Sequence, residues 1–272
     1  MLYSIYKDVI FVILFNRYPG GKRRAVTMSF DDGYREDEKL IEIFDRFGIR
    51  GTFHINSGLL HRDIRVDADE VAKIYKNHEI SAHGFTHANF DELSESEIRD
   101  EIEKDLSELL RLSGREVHGM SYPNGKTSDK AVAVAKSLGI AYSRTTVSTP
   151  DFSIPEDFLY WHPTCHHLRS EEAAERFLAS QVGGELLCIW GHSTEFERDK
   201  NWELIERVCE KLGAYEDVWS ATCIELCDYV CACRALRISP DEKMIENPTD
   251  IDVWFTVGGK TTCIKAKETI HI

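Results

Sequence analysis

Residues 25–55 read AVTMSFDDGYREDEKLIEIFDRFGIRGTFHI, and the fold class turns on how this stretch is parsed. Residues 25–30 form an apolar run of strand length, and 37–47 form a helical segment stopped by Gly48. Residues 50–55 then read as a second strand. Strand, helix and strand in so short a span make a βαβ unit, whose strands lie parallel in one sheet.

Working outward, the same alternation runs to residue 235. The sequence predicts helix at 67–76, strand at 78–82, helix at 94–112, strand at 117–121, helix at 128–138 and strand at 140–144. An irregular stretch at 145–168 interrupts the series. Helix 170–181, strand 185–191, helix 202–212, strand 217–221 and helix 222–235 then complete it. The longest helix opens on the cap Ser94-Glu95-Ser96-Glu97, carries Ile98, Ile102, Leu106, Leu109 and Leu110 at helical spacing, and stops at Gly114. Repeated strand–helix pairs call for a parallel sheet covered on both faces, either a barrel or a doubly wound sheet.

The two ends differ in character. Residues 251–257 (IDVWFTV), Gly258-Gly259 and 261–266 (TTCIKA) carry a hairpin signal, so 236–272 reads as a small β appendage. Residues 1–21 read as an N-terminal extension, packed or partly disordered. The apolar run 9–15 in it is too short to span a bilayer and has no small-residue cleavage site after it. The expected location is cytoplasmic.

Composition narrows the partners. With 42% hydrophobic and 29% charged residues over 272 positions, the chain can bury a core without staples. Its 47 acidic residues outnumber 33 basic ones for a net charge of −14, which repels phosphate backbones and anionic membranes and leaves a neutral small substrate. Among eight cysteines, Cys223, Cys227 and Cys231 recur every fourth residue on one helical face. They are expected to be reduced and to act as small apolar groups.

Three loops that follow predicted strands concentrate the reactive side chains. Asp31-Asp32-Gly33 follows strand 25–30, and adjacent carboxylates leave the backbone in different directions, one toward a metal and one toward a water. His83-Gly84-Phe85-Thr86-His87 follows strand 78–82, and histidines four apart converge on one cation if the segment makes a helical turn. Trp190-Gly191-His192-Ser193 ends strand 185–191 on the same rim, where an imidazole can protonate a leaving amine. His54, on strand 50–55, reads as a hydrogen-bonded core or rim residue, and the acidic run 91–108 as the solvated face of a helix.

Thr27-Met28-Ser29-Phe30-Asp31-Asp32-Gly33, His83-Gly84-Phe85-Thr86-His87 and Ser121-Tyr122-Pro123-Asn124-Gly125 resemble the ordered motifs of the polysaccharide deacetylase family, over roughly residues 22–235. The resemblance implies an α/β fold, a distorted (β/α)7 TIM-like barrel, and a metal-dependent hydrolase that removes acetyl groups from sugars. It implies Asp32, His83 and His87 as ligands of one divalent ion, zinc foremost, with cobalt, nickel or iron as alternatives. It also implies Asp31 as the base and His192 as the acid.

The chain departs from the family pattern in two places. The family's Arg-x-Pro-Tyr loop is here Ser121-Tyr122-Pro123-Asn124, so the arginine that tethers the base is missing, and Arg144 at the end of the next strand is the expected substitute. The Asp-Trp element that tunes the acid histidine gives way to Tyr160-Trp161-His162-Pro163-Thr164-Cys165-His166-His167, with Glu195 a candidate to orient His192. Tyr122, Trp161, His162 and Arg144 are the expected substrate-side residues; Trp161 would stack on a sugar, and Tyr122 and Trp190 would line the acetyl pocket. The expected partner is an acetylated sugar or a small amide. A non-sugar amide or cyclic imide as substrate, or a binding protein without catalysis on the same barrel, are the competing readings.

Overall fold

The structure is a computed structural model that describes residues 2–6, 9–241 and 243–272. Strands β1 (Leu2–Tyr6) and β2 (Val9–Leu14) come first, followed by β3 (Arg24–Asp31), α1 (Asp37–Phe47) and β4 (Gly51–Ile55). Next come α2 (Val71–Ile74), β5 (Glu79–Ala82), α3 (Glu95–Ser113), β6 (Gly119–Ser121), α4 (Asp129–Ser137) and β7 (Tyr142–Arg144). The chain continues through β8 (Cys165–His166), α5 (Ser170–Ala179), β9 (Glu185–Gly191), α6 (Ser193–Asp199), α7 (Trp202–Gly213), β10 (Val218–Ser220) and α8 (Cys223–Ala235). It ends with β11 (Arg237–Ile238), β12 (Met244–Glu246), β13 (Val253–Val257), β14 (Lys260–Ile264) and β15 (Thr269–His271).

The central sheet runs β7-β6-β5-β4-β3-β9-β8, all parallel, with β10 beside the start of β3. A parallel bridge from Arg144 to Trp161 brings the segment before β8 against β7 at the other edge. There the Trp161 N–H donates to the Ser143 carbonyl at 3.1 Å and the Thr145 N–H donates to the Trp161 carbonyl at 2.9 Å. The sheet therefore curls round on itself, which settles the choice in favour of a distorted seven-stranded barrel.

The strand β3 shows why this sequence builds a barrel with a polar mouth. All eight of its residues are buried, yet they alternate in kind. Val26, Met28 and Phe30 join Leu40, Phe44 and Phe53 in the layer under the helices, where each buried Phe contributes roughly 1.5–3 kcal/mol. Thr27, Ser29 and Asp31 point the other way and meet Cys223, His54 and Arg144. The helix α3 starts on the predicted capping box, Ser94 with Glu97, and ends at Gly114 in the left-handed region.

Differences fall on short elements. The predicted helix 67–76 is a 3-10 turn at Ala68–Glu70 plus the single turn α2. The sequence pattern assigns no element to α6 and places β8 inside an irregular stretch, because both carry too few residues to show a period. In α8, Cys223 and Cys227 are buried as expected, whereas Cys231 is exposed, and all eight thiols are free.

The predicted hairpin is present as β13 and β14, but it does not stand alone. Leu14 and Ile13 of β2 pair with Thr256 and Val257, and β1 pairs with β2, so the N-terminal extension and the C-terminal appendage share one four-stranded sheet. Ile13, Ile245, Val253, Phe255 and Ile264 form its small core. Among the described residues no helix is long and apolar enough to cross a membrane.

Candidate active site

The site is assembled where β3, β5, β6, β7 and β9 end. Past β3 the chain turns sharply: Asp32 has φ 85° and Gly33 φ 63°. The Asp32 N–H donates to the His54 carbonyl at 2.7 Å. Left-handed backbone is unfavourable for a residue with a Cβ, by about 1–2 kcal/mol, and such positions collect at functional sites. His87 holds it too, at φ 64°.

His83 and His87 do converge, though not through a helical turn. Gly84 at φ 72° and His87 fold residues 83–87 into a bent loop instead. The Nε2 atoms of His83 and His87 lie 3.8 and 3.6 Å from Asp32 Oδ1, and their rings sit edge-on with centroids 4.9 Å apart. One donor atom from each of Asp32, His83 and His87 falls within 4.8 Å of the others.

This set fits a divalent cation. His83 Nδ1 is 2.9 Å from the Ser121 carbonyl oxygen, which can only accept, so Nδ1 carries the proton and Nε2 turns its lone pair toward Asp32. Asp32 Oδ1 is buried and has no hydrogen-bond partner. A carboxylate oxygen facing imidazole lone pairs is a repulsive arrangement until a cation sits between them, and one carboxylate with two imidazoles suits zinc and similar ions.

Two residues that sequence reasoning missed hold this loop. Asp105 Oδ2 accepts the His83 N–H at 2.8 Å, and its Oδ1 accepts the N–H and hydroxyl of Ser57 at 2.8 and 2.5 Å. Asn56 Nδ2 donates to the His83 and Gly84 carbonyls at 2.5 and 2.9 Å. Asp105 is fully buried, which corrects the reading of 91–108 as a solvated face, and burial pushes its carboxyl up to about 7 against its hydrogen bonds. Its position was legible: it shares the face of Ile98, Ile102 and Leu109.

Asp105→Asn replaces one acceptor with an amide N–H that must face a donor. We expect a loss of about 1–3 kcal/mol in unfolding free energy for the chelated protein. Metal affinity should fall about 10- to 100-fold, as for other groups that orient ligands. Urea denaturation and metal titration check the two effects, and unchanged affinity would mean that the His83 loop holds itself.

Asp31 is the second carboxylate. Its Oδ1 accepts from Arg144 Nη2 and, at 2.9 Å, from Ser121 Oγ. Burial would raise this carboxyl, but Arg144, followed by His83, His54 and His192, outweighs it and holds Asp31 well below the usual carboxylate range. Arg144 also donates from Nε to Ser29 Oγ at 2.8 Å and from Nη1 to the Thr145 carbonyl at 2.9 Å. It is fully buried with all three donor nitrogens engaged. Arg144 therefore fixes the Asp31 carboxylate from within the barrel and has no donor nitrogen left to face a substrate.

His192 closes the constellation. Its Nε2 is 4.0 Å from Asp32 Oδ2 and its Nδ1 is 3.4 Å from Glu195 Oε2. Burial alone would lower this imidazole, yet Glu195, Asp31 and Asp32 together raise it, which suits a proton donor. Trp190 lies beside it, with ring centroids 6.0 Å apart and Arg144 5.0 Å over its ring.

The remaining expected residues divide. His162 is exposed at the rim, with Nδ1 2.6 Å from Thr145 Oγ1. Trp161 is 1% exposed and packs edge-on against Tyr142 and Phe158, because the bridge to Arg144 draws it into the barrel wall. It offers no face to a sugar. Tyr122 is equally buried and its hydroxyl donates to the Leu159 carbonyl at 2.9 Å, so it too leaves the substrate side. His54 is the buried, hydrogen-bonded residue expected, 2.8 Å from Ser29 Oγ.

Similarity to known proteins agrees with this geometry. Residues 19–143 match the family model of polysaccharide deacetylases. A chitin deacetylase of Arthroderma benhamiae is 28% identical over 132 residues, 47% of this chain and 35% of that protein, so the likeness spans about a third of the curated relative's length. A Mycobacterium smegmatis structure assigned to the polysaccharide deacetylases superposes with TM-score 0.61 at 17% identity, covering 80% of this chain and 93% of that one. A family 4 acetyl xylan esterase from Clostridium thermocellum, solved with a cobalt ion, gives TM-score 0.53 at 18% identity over 74% of this chain and 89% of that one. With motifs, matched segment and seven-stranded barrel in agreement, the chain is similar to the polysaccharide deacetylases in sequence over residues 19–143 and in fold over the barrel.

Proposed function

We propose that this chain is a metal-dependent hydrolase that removes an acetyl group, as amide or ester, from a carbohydrate. The observation that carries the reading is the convergence of Asp32, His83 and His87 beside a second carboxylate, Asp31, that two other side chains pin in place.

A divalent ion on Asp32, His83 and His87, zinc foremost, would supply Lewis acidity and lower the pKa of water. The residues around it have separable tasks. Asp31, ionised and fixed by Arg144 and Ser121, takes the proton of the attacking water. His192, held toward its charged form by Glu195, Asp31 and Asp32, returns a proton through Nε2 to the departing nitrogen or oxygen. Trp190 walls the acetyl end, and His162 stands at the rim where the sugar would enter.

A second reading keeps the machinery and changes the substrate to a non-sugar amide or cyclic imide. It is favoured by the burial of Trp161, which removes the aromatic platform expected to stack on a sugar, and by the burial of Tyr122, which takes it out of the expected acetyl pocket. Acetate release from N-acetylglucosamine oligomers, set against ring opening of cyclic imides, separates the two. In either case a chelator should abolish turnover, and zinc or cobalt should restore it. Turnover that survives full chelation would overturn the mechanism, and no turnover of any acetylated or cyclic substrate by the loaded protein would return the chain to a binding role.

A further inference from the structure

Behind His192, on the side away from Asp32, a second group of ligand types converges. His166 Nε2 and His167 Nδ1 lie 3.0 and 3.5 Å from Glu195 Oε2, and one donor atom from each of the three falls within 4.8 Å of the others. These residues come from β8, the turn after it, and α6, so the fold and not sequence proximity brings them together. None of them belongs to the first ligand set.

Two members of this cluster carry buried polar atoms with no hydrogen-bond partner. His167 is fully buried, between Phe30 and Phe196, and neither of its ring nitrogens has a hydrogen-bond partner. A Cβ built on Gly191 would come within 2.2 Å of His167 Nδ1, so the chain keeps a glycine where this ring reaches in. Burying an imidazole with both nitrogens unpaired costs free energy that a phenylalanine would not. Glu195 Oε2 is also buried, and its other oxygen faces Arg198 at 3.5 Å. Burial would raise the Glu195 carboxyl, but His166 and His192 outweigh it and keep it ionised. Burial holds His167 neutral, down at about 3, the form in which imidazole binds metals. The Leu168 N–H is 3.5 Å from His166 Nδ1, too long to commit that nitrogen as an acceptor.

We propose that His166, His167 and Glu195 form a second divalent-cation site, for zinc or a similar borderline ion, with an open fourth position beside His192. Two imidazoles and one carboxylate match the donor preference of such ions and leave room for a further ligand. An ion there pins the turn after β9 to the segment after β8, and so fixes the loop that carries His192. The site does not depend on what the enzyme hydrolyses.

Metal content tests it directly. The full chain is stripped with chelator, reloaded with zinc, dialysed and measured by mass spectrometry. We expect two zinc ions per chain in the wild type, one in Asp32→Ala, one in His167→Phe and none in the double variant. His167→Phe suits the purpose because its ring fits between Phe30 and Phe196, and Glu195→Gln, also expected to hold one ion, serves if that variant fails to fold. One ion in the wild type with none in Asp32→Ala would overturn the second site. So would an unchanged count in His167→Phe or, where that variant does not fold, in Glu195→Gln. Failure of the first site alone reads differently: His167→Phe would then hold no ion while Asp32→Ala kept one.

Discussion

Asp31→Asn is expected to keep its metal and lose turnover by roughly 10²- to 10⁴-fold, the range typical of a removed general base. The two side chains have nearly the same shape, and the Asn carbonyl oxygen still accepts from Ser121 Oγ and Arg144, as Asp31 Oδ1 does now. What the amide cannot do is take a proton. His83→Ala is expected to behave otherwise, losing both turnover and the ion of this site. Its Nε2 is one of three donors, and its Nδ1 ties the ligand to β6 through the Ser121 carbonyl. Metal content and acetate release, each measured per folded protein, separate the two variants. Full turnover with a normal ion count in either one would remove that residue from its role.

The contrast between these variants depends on residues that were legible early, and the reason is chemical. Candidate ligands and bases are recognised by side-chain type, and here they directly follow strands whose apolar runs are plain: 25–30, 78–82 and 185–191. The expected strands and helices from β3 to α8 fall within a few residues of the observed ones, because each long element carries several turns or alternations of signal. Arg144 could be nominated because its strand ends at the same rim as Asp31.

What stayed hidden depends on contacts far apart in sequence. Trp161 reads as a sugar platform among its polar and aromatic neighbours, and only the bridge to Arg144 reveals that it is barrel wall. The pairing of β2 with β13 crosses nearly the whole chain and leaves no local mark. Asp105 is a different failure. Its place on the apolar face of α3 was readable, but the acidic neighbours around it made one more carboxylate look ordinary. His167 likewise sits in a run of histidines, and nothing local says that both its nitrogens end up buried.

Arg144→Met should be the most damaging single change to the site that leaves every ligand and both proton-transfer groups in place. The substitution fills a similar volume but leaves the Asp31 carboxylate buried without its guanidinium. Removing one partner of a buried pair costs about 3–5 kcal/mol. Arg144→Lys should rescue little, since one ammonium cannot reach Asp31, Ser29 and the Thr145 carbonyl as a planar fork does. The pH dependence of stability identifies the cause. In the wild type Asp31 titrates well below its unfolded value, so its contribution is complete above about pH 4 and is lost only as pH falls further. In Arg144→Met burial, the largest influence on this carboxyl, acts with less opposition, and the folded carboxyl is expected to rise above the unfolded value. Once it is above, the folded state holds more protons than the unfolded one, and stability increases as pH falls from 7 toward 5. Urea denaturation of chelated protein should therefore show a gap between wild type and Arg144→Met that narrows at pH 5. A gap of constant size would place the loss in packing around Arg144 rather than in the charge of Asp31, and the tether would then be steric.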